Sequence, residues 1–287
     1  MKKIKLSFWA FVGPILFSYT LIQLVPLLAG IYYSFTDWNG ISSKVKWIGL
    51  KNYFSAFSDS TFSHSFWFTF KFTVLSLIIL NVLGFCLALL VTRKSKISNM
   101  LRTIFFMPNL IGGLILGFIW QFIFTEVFSA IGSITHQRWL LGWLSDDKTG
   151  LYGLVILMSW QMAGYLMVIY IASLENIPAE LIEAAEIDGA NVIQKIRHIT
   201  IPLVRPAFTV SIFLTLSNSF KLYDQNLSLT AGGPGNSTEM LAMNIYNTAF
   251  QFNLMGVAQA KAVIFLIIVG SVSLLQVYFL KKGEVEV

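Results

Sequence analysis

The sequence predicts an all-α membrane protein whose six transmembrane helices leave both termini on the inner, cytoplasmic side. Three observations predict it. Hydrophobic residues make up 56% of the chain and charged residues only 12%, against about 25% charged in a typical soluble domain. The apolar residues come in long blocks rather than in alternation with polar ones, and six blocks come close to or exceed the roughly 20 residues a helix needs to cross a bilayer. The lysines and arginines gather between these blocks, with an excess on one side, and that bias orients a membrane protein during insertion.

The first block, Phe8–Tyr33, follows Lys2, Lys3 and Lys5. A basic start before an apolar run also suits a signal peptide, but the run exceeds the roughly 7–15-residue core of one, and Ala29-Gly30 matches a cleavage site poorly. The block is therefore expected to remain as a span. Phe66–Val91, Thr103–Thr125 and Leu151–Leu174 follow. Gly113 and Gly117 in the third form a small-xxx-small pair suited to close helix packing. The fifth, Pro206–Asp224, is the least apolar. Its Ser211, Thr215, Ser217, Asn218 and Ser219 form a polar stripe expected to face protein or water. Ala260–Leu280 is the sixth. No shift in composition divides the chain, so residues 1–287 are expected to form a single transmembrane domain.

With the N-terminus inside, the inner segments hold twelve basic residues: Lys2, Lys3, Lys5, Arg93, Lys94, Lys96, Arg102, Lys195, Arg197, Arg205, Lys281 and Lys282. The outer segments hold five, Lys44, Lys46, Lys51, Arg138 and Lys148. Trp38, Trp47, Trp67, Trp139 and Trp143 fall near the expected outer interface, where amphipathic rings concentrate. Lys71, Lys221 and Lys261 lie within blocks but near outer ends, from which they are expected to snorkel. Glu126 and Asp224 also lie at outer ends, so no charge is forced to the midplane, where ion-coupled pumps keep their relays. The net charge of +6, so distributed, fits membrane topology and lipid rather than nucleic acid. One cysteine, Cys86, excludes an internal disulfide and a cysteine-based zinc site. His64, His136 and His198 lack metal-ligand spacing. Gly142–Thr149 ends like a phosphate loop, but Asp147 stands where the second glycine belongs and would repel a phosphate. No metal, cofactor or catalytic residue is therefore expected in this chain.

Residues 175–205, between spans four and five, are too rich in Ala, Glu, Ile and Leu for a flexible connector. They read as two short helices. Asn176 can cap the first, with Pro178 in its first turn. Glu180 and Glu183 suit the positive end of its dipole. Gly189 can end it in the left-handed conformation. The second runs from about Asn191, with Lys195, Arg197 and His198 toward its negative end, and Pro202 is expected to stop it.

Within this segment, Glu183-Ala184-Ala185, three residues, Gly189, nine residues and Ile199-Thr200-Ile201-Pro202 resemble the EAA loop of permease subunits of bacterial ATP-binding-cassette (ABC) importers. Ile201 replaces the usual leucine. The resemblance implies the type I ABC importer permease fold in the bacterial inner membrane. It also implies that this loop is the coupling helix that docks on a separate ATPase. Glu183 would contact that ATPase, Ala184 and Ala185 would allow close approach, and Asp188, Gly189 and Pro202 complete the coupling motif. The implied partners are a second homologous permease subunit (a heterodimer), two ATP-binding subunits that carry ATP and magnesium, and an extracytoplasmic solute-binding protein.

Ile177-Pro178, Leu181–Ala185, Ile187–Ala190 and Leu229–Thr238 are similar to the carbohydrate, maltose-type branch of the family. That implies inward transport of a sugar or oligosaccharide driven by ATP hydrolysis on the separate subunit. Gly232, Gly233 and Pro234 read either as a contact for the binding protein or as a tight surface turn. A sugar path needs hydrogen-bonding groups and aromatic faces. Asn109, Trp120, Gln121, Trp160, Gln161, Tyr165, Asn218 and Tyr223 offer them, and each also suits a helix–helix hydrogen bond or an interfacial anchor. Two other readings are a permease of the same architecture for a phosphorylated polyol or amino acid, and a secondary transporter.

Overall fold

The computed structural model describes residues 6–42, 44–92 and 95–282. Lys2, Lys3, Lys5, Arg93 and Lys94 of the charge count lie outside them. In chain order the helices are α1 (Leu6–Tyr19), α2 (Val25–Tyr33), α3 (Lys51–Ser58), α4 (Ser60–Val91), α5 (Lys96–Phe106), α6 (Gly113–Phe122), α7 (Phe128–Thr135), α8 (Asp147–Leu174), α9 (Ala179–Ile187), α10 (Val192–Lys195), α11 (Ile201–Leu203), α12 (Arg205–Phe220), α13 (Asp224–Leu229), α14 (Leu241–Phe250) and α15 (Met255–Lys281). π-helical turns link α1 to α2, α6 to α7 and α10 to α11. Two of these turns, Thr20–Leu24 and Thr200's Ile196–Thr200, end two residues before a proline, Pro26 and Pro202. A proline cannot donate to the carbonyl four residues back, and a wider turn re-routes the bonds that it breaks.

Among the described residues, five helical stretches are long and apolar enough to cross a membrane: Phe11–Tyr33, Ser60–Val91, Gly113–Thr135, Asp147–Leu174 and Met255–Lys281. A sixth candidate is the pair Val192–Leu203 and Arg205–Phe220, bent by 70°. The third span is displaced from the expected Thr103–Thr125. Residues 96–106 form the separate helix α5, followed by a 3-10 turn, Met107–Leu110, and an extended Gly112 with φ −60° and ψ 142°. Pro108 and the Gly112-Gly113 pair break the apolar run, and the span starts only after them. The fifth block also ends early: α12 stops at Phe220, and Asp224 opens α13.

The chain packs as two compact units, Met1–Phe62 with Asn244–Ile267, and Ser63–Met243 with Ile268–Val287. In the first, the segment after α2 is pinned by polar and aromatic contacts. Asn52 Nδ2 donates to the carbonyls of Ser34 (2.9 Å) and Thr36 (2.7 Å). Trp38 stacks on Tyr33 at 4.2 Å and Trp47 on Phe35 at 5.1 Å. Lys261 does not snorkel. It is 2% exposed, and its ammonium donates to Asp59 Oδ2 (2.7 Å), Asn244 Oδ1 (2.8 Å) and Thr248 Oγ1 (2.8 Å), below the Phe62 ring at 5.2 Å. Three donors meet three acceptors, so burial leaves no N–H unsatisfied. Burial raises the Asp59 carboxyl, but hydrogen bonds from Lys261 and Thr61 outweigh it and hold the group below its usual range. Removing one member of a buried pair costs about 3 kcal/mol or more, whereas an apolar replacement of both can be near neutral. Lys261→Met should therefore lower the melting temperature of the purified protein sharply, and adding Asp59→Asn should recover most of the loss. A double variant no better than the single one would contradict this.

In the second unit the core forms around α8, whose Leu154, Leu157, Met158, Leu166, Met167 and Tyr170 are buried. Phe68, Phe72, Leu80 and Phe85 of α4 pack in the same cluster. Tyr170 Oη donates to Asn81 Oδ1 at 2.7 Å. The expected polar stripe of α12 divides between two environments. Ser211, Thr215 and Ser219 are buried in protein, while Asn218 is exposed. Asp146 caps α8: its carboxylate accepts from the Thr149 backbone at 2.7 Å, completing a capping box. The stretch that mimics a phosphate loop is thus a helix entry. Hydrogen bonds from Thr149, backbone first, hold the Asp146 carboxyl below its usual range. A depressed carboxylate stabilises above its unfolded pKa and loses that contribution as pH falls through the folded value. Hydrogen-exchange protection factors at the first turn of α8, taken relative to the intrinsic rate at each pH, should fall as pH drops below about 4. Asp146→Ala, which costs a cap of about 1 kcal/mol, should remove that pH dependence.

Candidate functional site

Two features of the second unit gather the residues expected to carry function. The first is a cleft of ≈ 330 Å³ formed by α8, α12, α13 and the 3-10 turn before α6. Helical spacing places Met158, Gln161, Met162 and Tyr165 of α8 on one face. Leu214 and Asn218 of α12, Lys221 and Leu222 beyond it, Gln225 of α13 and Asn109 complete the lining. Gln161 Nε2 donates to the Ile111 carbonyl at 3.1 Å. Gln225 Nε2 donates to Gln161 Oε1 at 2.9 Å. This chain fixes both amides and the bend before α6. The cleft is therefore walled by neutral amides, a phenol and thioethers, with Lys221 as its cation. Such a surface can hydrogen-bond hydroxyls and pack against C–H faces, and it offers no nucleophile–base pair for covalent chemistry.

Of the eight path candidates, Asn109, Gln161, Tyr165 and Asn218 meet here. Trp120, Gln121, Trp160 and Tyr223 do not line this cleft. Trp120 stands edge-on to Trp160 at 5.8 Å, and its indole N–H is buried without a partner. Trp160 lines a separate apolar cavity of ≈ 470 Å³ with Leu83, Ile104 and Pro108. Gln121 gives its carbonyl to Thr125 Oγ1 at 2.9 Å, and Tyr223 sits at the N-cap of α13. Gln225 was missed because the fifth span was expected to run on to Asp224. The break after Phe220 instead folds α13 back against α6. That approach requires Gly113 and Gly117: a Cβ at Gly117 would lie 1.8 Å from Ser228 Oγ, and one at Gly113 would lie 2.9 Å from Gln225 Cδ.

The second feature is the helix pair α9 and α10. The N-cap of α9 is Pro178, which makes no side-chain cap bond, and not Asn176; the Asn176 N–H bonds to the Ser173 carbonyl in the last turn of α8. Gly189 has φ +78°, and the Ala190 and Gly189 amides bond back to Ala185 (2.9 Å) and Glu186 (3.1 Å), as in a glycine-terminated helix. Asn191 and Gln194 form a capping box on α10. A Lys195–Glu186 ion pair closes the pair at 2.5 Å. Pro202 does not stop the second helix. The π turn before it accommodates the ring, and the chain bends instead at Val204. Glu183, Ala184, Asp188 and Gly189 are exposed and Ala185 half-buried. Ile187, Ile193 and Val192 are 86%, 75% and 65% exposed, an apolar surface on the hairpin.

The Gly232–Pro234 turn is braced from within the unit. Gly232 is buried at φ +76°. Thr238 Oγ1 donates to the Gly233 carbonyl at 2.8 Å, and Asn226 Nδ2 to the Thr238 carbonyl at 2.8 Å. Pro234 stays exposed. Among the described residues, no group of His, Cys, Asp or Glu is arranged to hold a metal.

Comparison with known proteins accords with this architecture. The family model described as "Binding-protein-dependent transport system inner membrane component" matches residues 80–283. The probable starch degradation products transport system permease protein AmyD of Thermoanaerobacterium thermosulfurigenes is 58% identical, over 97% of this chain and 95% of that protein. The multiple sugar-binding transport system permease protein MsmF of Streptococcus mutans is 31% identical, over 96% of both. A solved chain of a bacterial ABC transporter that imports the acidic polysaccharide alginate superposes with a TM-score of 0.82 at 19% identity, covering 96% of this chain and 95% of that one. The shared fold is that of an ABC importer permease. The chain is thus a multi-pass membrane protein and belongs to the family of binding-protein-dependent transport system inner membrane components.

Proposed function

We propose that the chain is one of two membrane-spanning subunits of an ATP-driven importer for a neutral oligosaccharide, in the bacterial inner membrane with both termini cytoplasmic. The observation that carries the substrate class is the cleft. Asn109, Gln161, Tyr165, Asn218 and Gln225 supply hydroxyl-matching donors and acceptors, and no basic cluster of the kind an anionic solute needs lines it. The names of the relatives, starch degradation products and multiple sugars, support the same class. The family match runs through both compact units, which supports a single permease domain over 1–287.

Energy enters through α9 and α10. Glu183, Ala184, Ala185, Asp188 and Gly189, with Ile187 and Ile193, form the face that docks on the ATP-binding subunit, and ATP and magnesium reside there. Pro202 and the bend at Val204 join this hairpin to α12, which carries Asn218. A push on the hairpin therefore has a continuous helical route to the cleft. The second permease subunit is a homologue rather than a copy, and the binding protein docks near the Gly232–Pro234 turn. In the reconstituted complex, Asn218→Ala should reduce oligosaccharide-stimulated ATPase several-fold, since one buried substrate hydrogen bond is worth about 1 kcal/mol. Unchanged stimulation in that variant and in Gln225→Ala would overturn the assignment of the cleft.

A further inference from the structure

The α9–α10 hairpin joins the rest of the second unit at two ends. Its far end leads through the bend at Val204 into α12 and Asn218. Its near end is the turn 175–178, which bonds back onto the last turn of α8: Glu175 N–H to the Ile171 carbonyl (2.9 Å), Asn176 to Ser173 (3.2 Å) and Ile177 to Leu174 (3.3 Å). Glu175 Oε1 accepts from Arg102 Nη2 of α5 at 3.0 Å. The same guanidinium is anchored on its other side, where Nε and Nη2 donate to the Val91 carbonyl at 3.1 and 3.0 Å. A cation suits that place, because the last carbonyls of a helix lack intrahelical donors. Val91 ends α4 and is fully buried in the core. Arg102 therefore joins a fixed helix end to the root of the hairpin.

From Arg102 the chain runs to the cleft without a break. Phe106 (φ −79°, ψ −28°) and Met107 (φ −52°, ψ −41°) stay helical, and the 3-10 turn that follows carries Asn109 into the cleft lining. Between them, the Phe105 carbonyl meets α8 at Gly164, too close to admit a Cβ. Arg102 lies three residues before this contact and Asn109 four after it. Such a close approach serves as a pivot, so what holds the Arg102 end of α5 sets the position of the Asn109 end.

We infer that the Arg102–Glu175 pair is a positioning link that carries movement of the hairpin through α5 to Asn109, a second route to the cleft beside the one through α12. The inference rests on the coupling role proposed above for α9 and α10. Neither Arg102 nor Glu175 lines the cleft. Their side chains are 25% and 39% exposed, and an ion pair so placed adds little to stability. Loss of the pair should therefore show in transmission rather than in folding.

The test uses the complete transporter with its binding protein in proteoliposomes. Spin-labelled cysteines replace Leu110, on the turn after α5, and Phe213, on α12, one at a time in a Cys86→Ser background; both positions are exposed and neither lines the cleft. Trapping with ATP and vanadate should shift both probes. With Glu175→Ala the shift at position 110 should be lost and that at 213 kept. Oligosaccharide taken up per ATP hydrolysed should fall by about fivefold or more. Arg102→Ala should act alike, the double variant should be no worse than Arg102→Ala, and Arg102→Lys should keep part of the ratio. A purely structural role would lower uptake and hydrolysis together and leave the ratio unmoved. Both shifts kept in Glu175→Ala, both lost, or effects that add in the double variant would overturn the inference alone. Failure of either probe to shift in the chain with Arg102 and Glu175 intact would overturn the coupling role of α9 and α10 as well.

Discussion

Gly189→Asp is expected to abolish coupling: ATP-dependent uptake should fall by about tenfold or more, the equivalent of ~1.4 kcal/mol in the docking of α9 and α10, while the ATPase subunits continue to hydrolyse ATP. Gly189 sits at φ +78°, and a Cβ there would meet nothing within 4 Å. The penalty is therefore conformational and electrostatic rather than steric. A left-handed non-glycine residue costs roughly 1–2 kcal/mol, and the new carboxylate joins Glu183, Glu186 and Asp188 on one small hairpin. Asparagine tolerates the left-handed region and carries no charge, so Gly189→Asn separates the two causes. It should retain most uptake if charge at the docking face dominates, whereas Gly189→Ala, uncharged but without that tolerance, should lose uptake if backbone freedom dominates. Normal uptake in Gly189→Asp vesicles would remove α9 and α10 from the coupling role.

A substitution at Gly164 is expected to be the most damaging small change in the second unit. A Cβ there would lie 1.8 Å from the Phe105 carbonyl oxygen and 2.3 Å from its carbon. Both are backbone atoms, so no rotamer change relieves the clash, and α5 must move away from α8. The Arg102–Glu175 ion pair at 3.0 Å and the Arg102 bonds to the Val91 carbonyl would move with it. Overpacking of this kind costs about 3 kcal/mol or more. Gly117→Ala provides the comparison. Its nearest obstacle, Ser228 Oγ at 1.8 Å, belongs to a side chain that can turn away, so relief there is partial. The melting temperature of the purified complex should fall for both variants, and further for Gly164→Ala. The reverse order would mean that the α5–α8 contact is less tight than its geometry indicates.

The hairpin was legible in the sequence because its determinants are local. A glycine in the left-handed region, an Asn191–Gln194 capping box and an acidic first turn each act within four residues. The apolar blocks were legible for the same reason, apart from the third and the end of the fifth. In the third, Pro108 and Gly112-Gly113 interrupt a run whose average composition hides the break, and the span slides to Gly113–Thr135. The cleft was half legible. Asn109, Gln161, Tyr165 and Asn218 are polar groups in apolar helices and attract notice singly, but Gln225 reaches them only because α13 folds back. Lys261 shows the same limit. Its burial depends on Asp59, 202 positions away in the chain, and no local pattern links the two.

The most direct test places the chain, its partner permease and the ATPase subunits in sealed vesicles with the binding protein and a labelled neutral maltooligosaccharide. Uptake should require ATP on the ATPase side, stop with vanadate, and exceed uptake of an acidic oligosaccharide. Uptake that persists without the ATPase subunits and follows an ion gradient, or that favours the acidic sugar, would contradict the assignment of this chain as the permease subunit of an ATP-driven importer for neutral oligosaccharides.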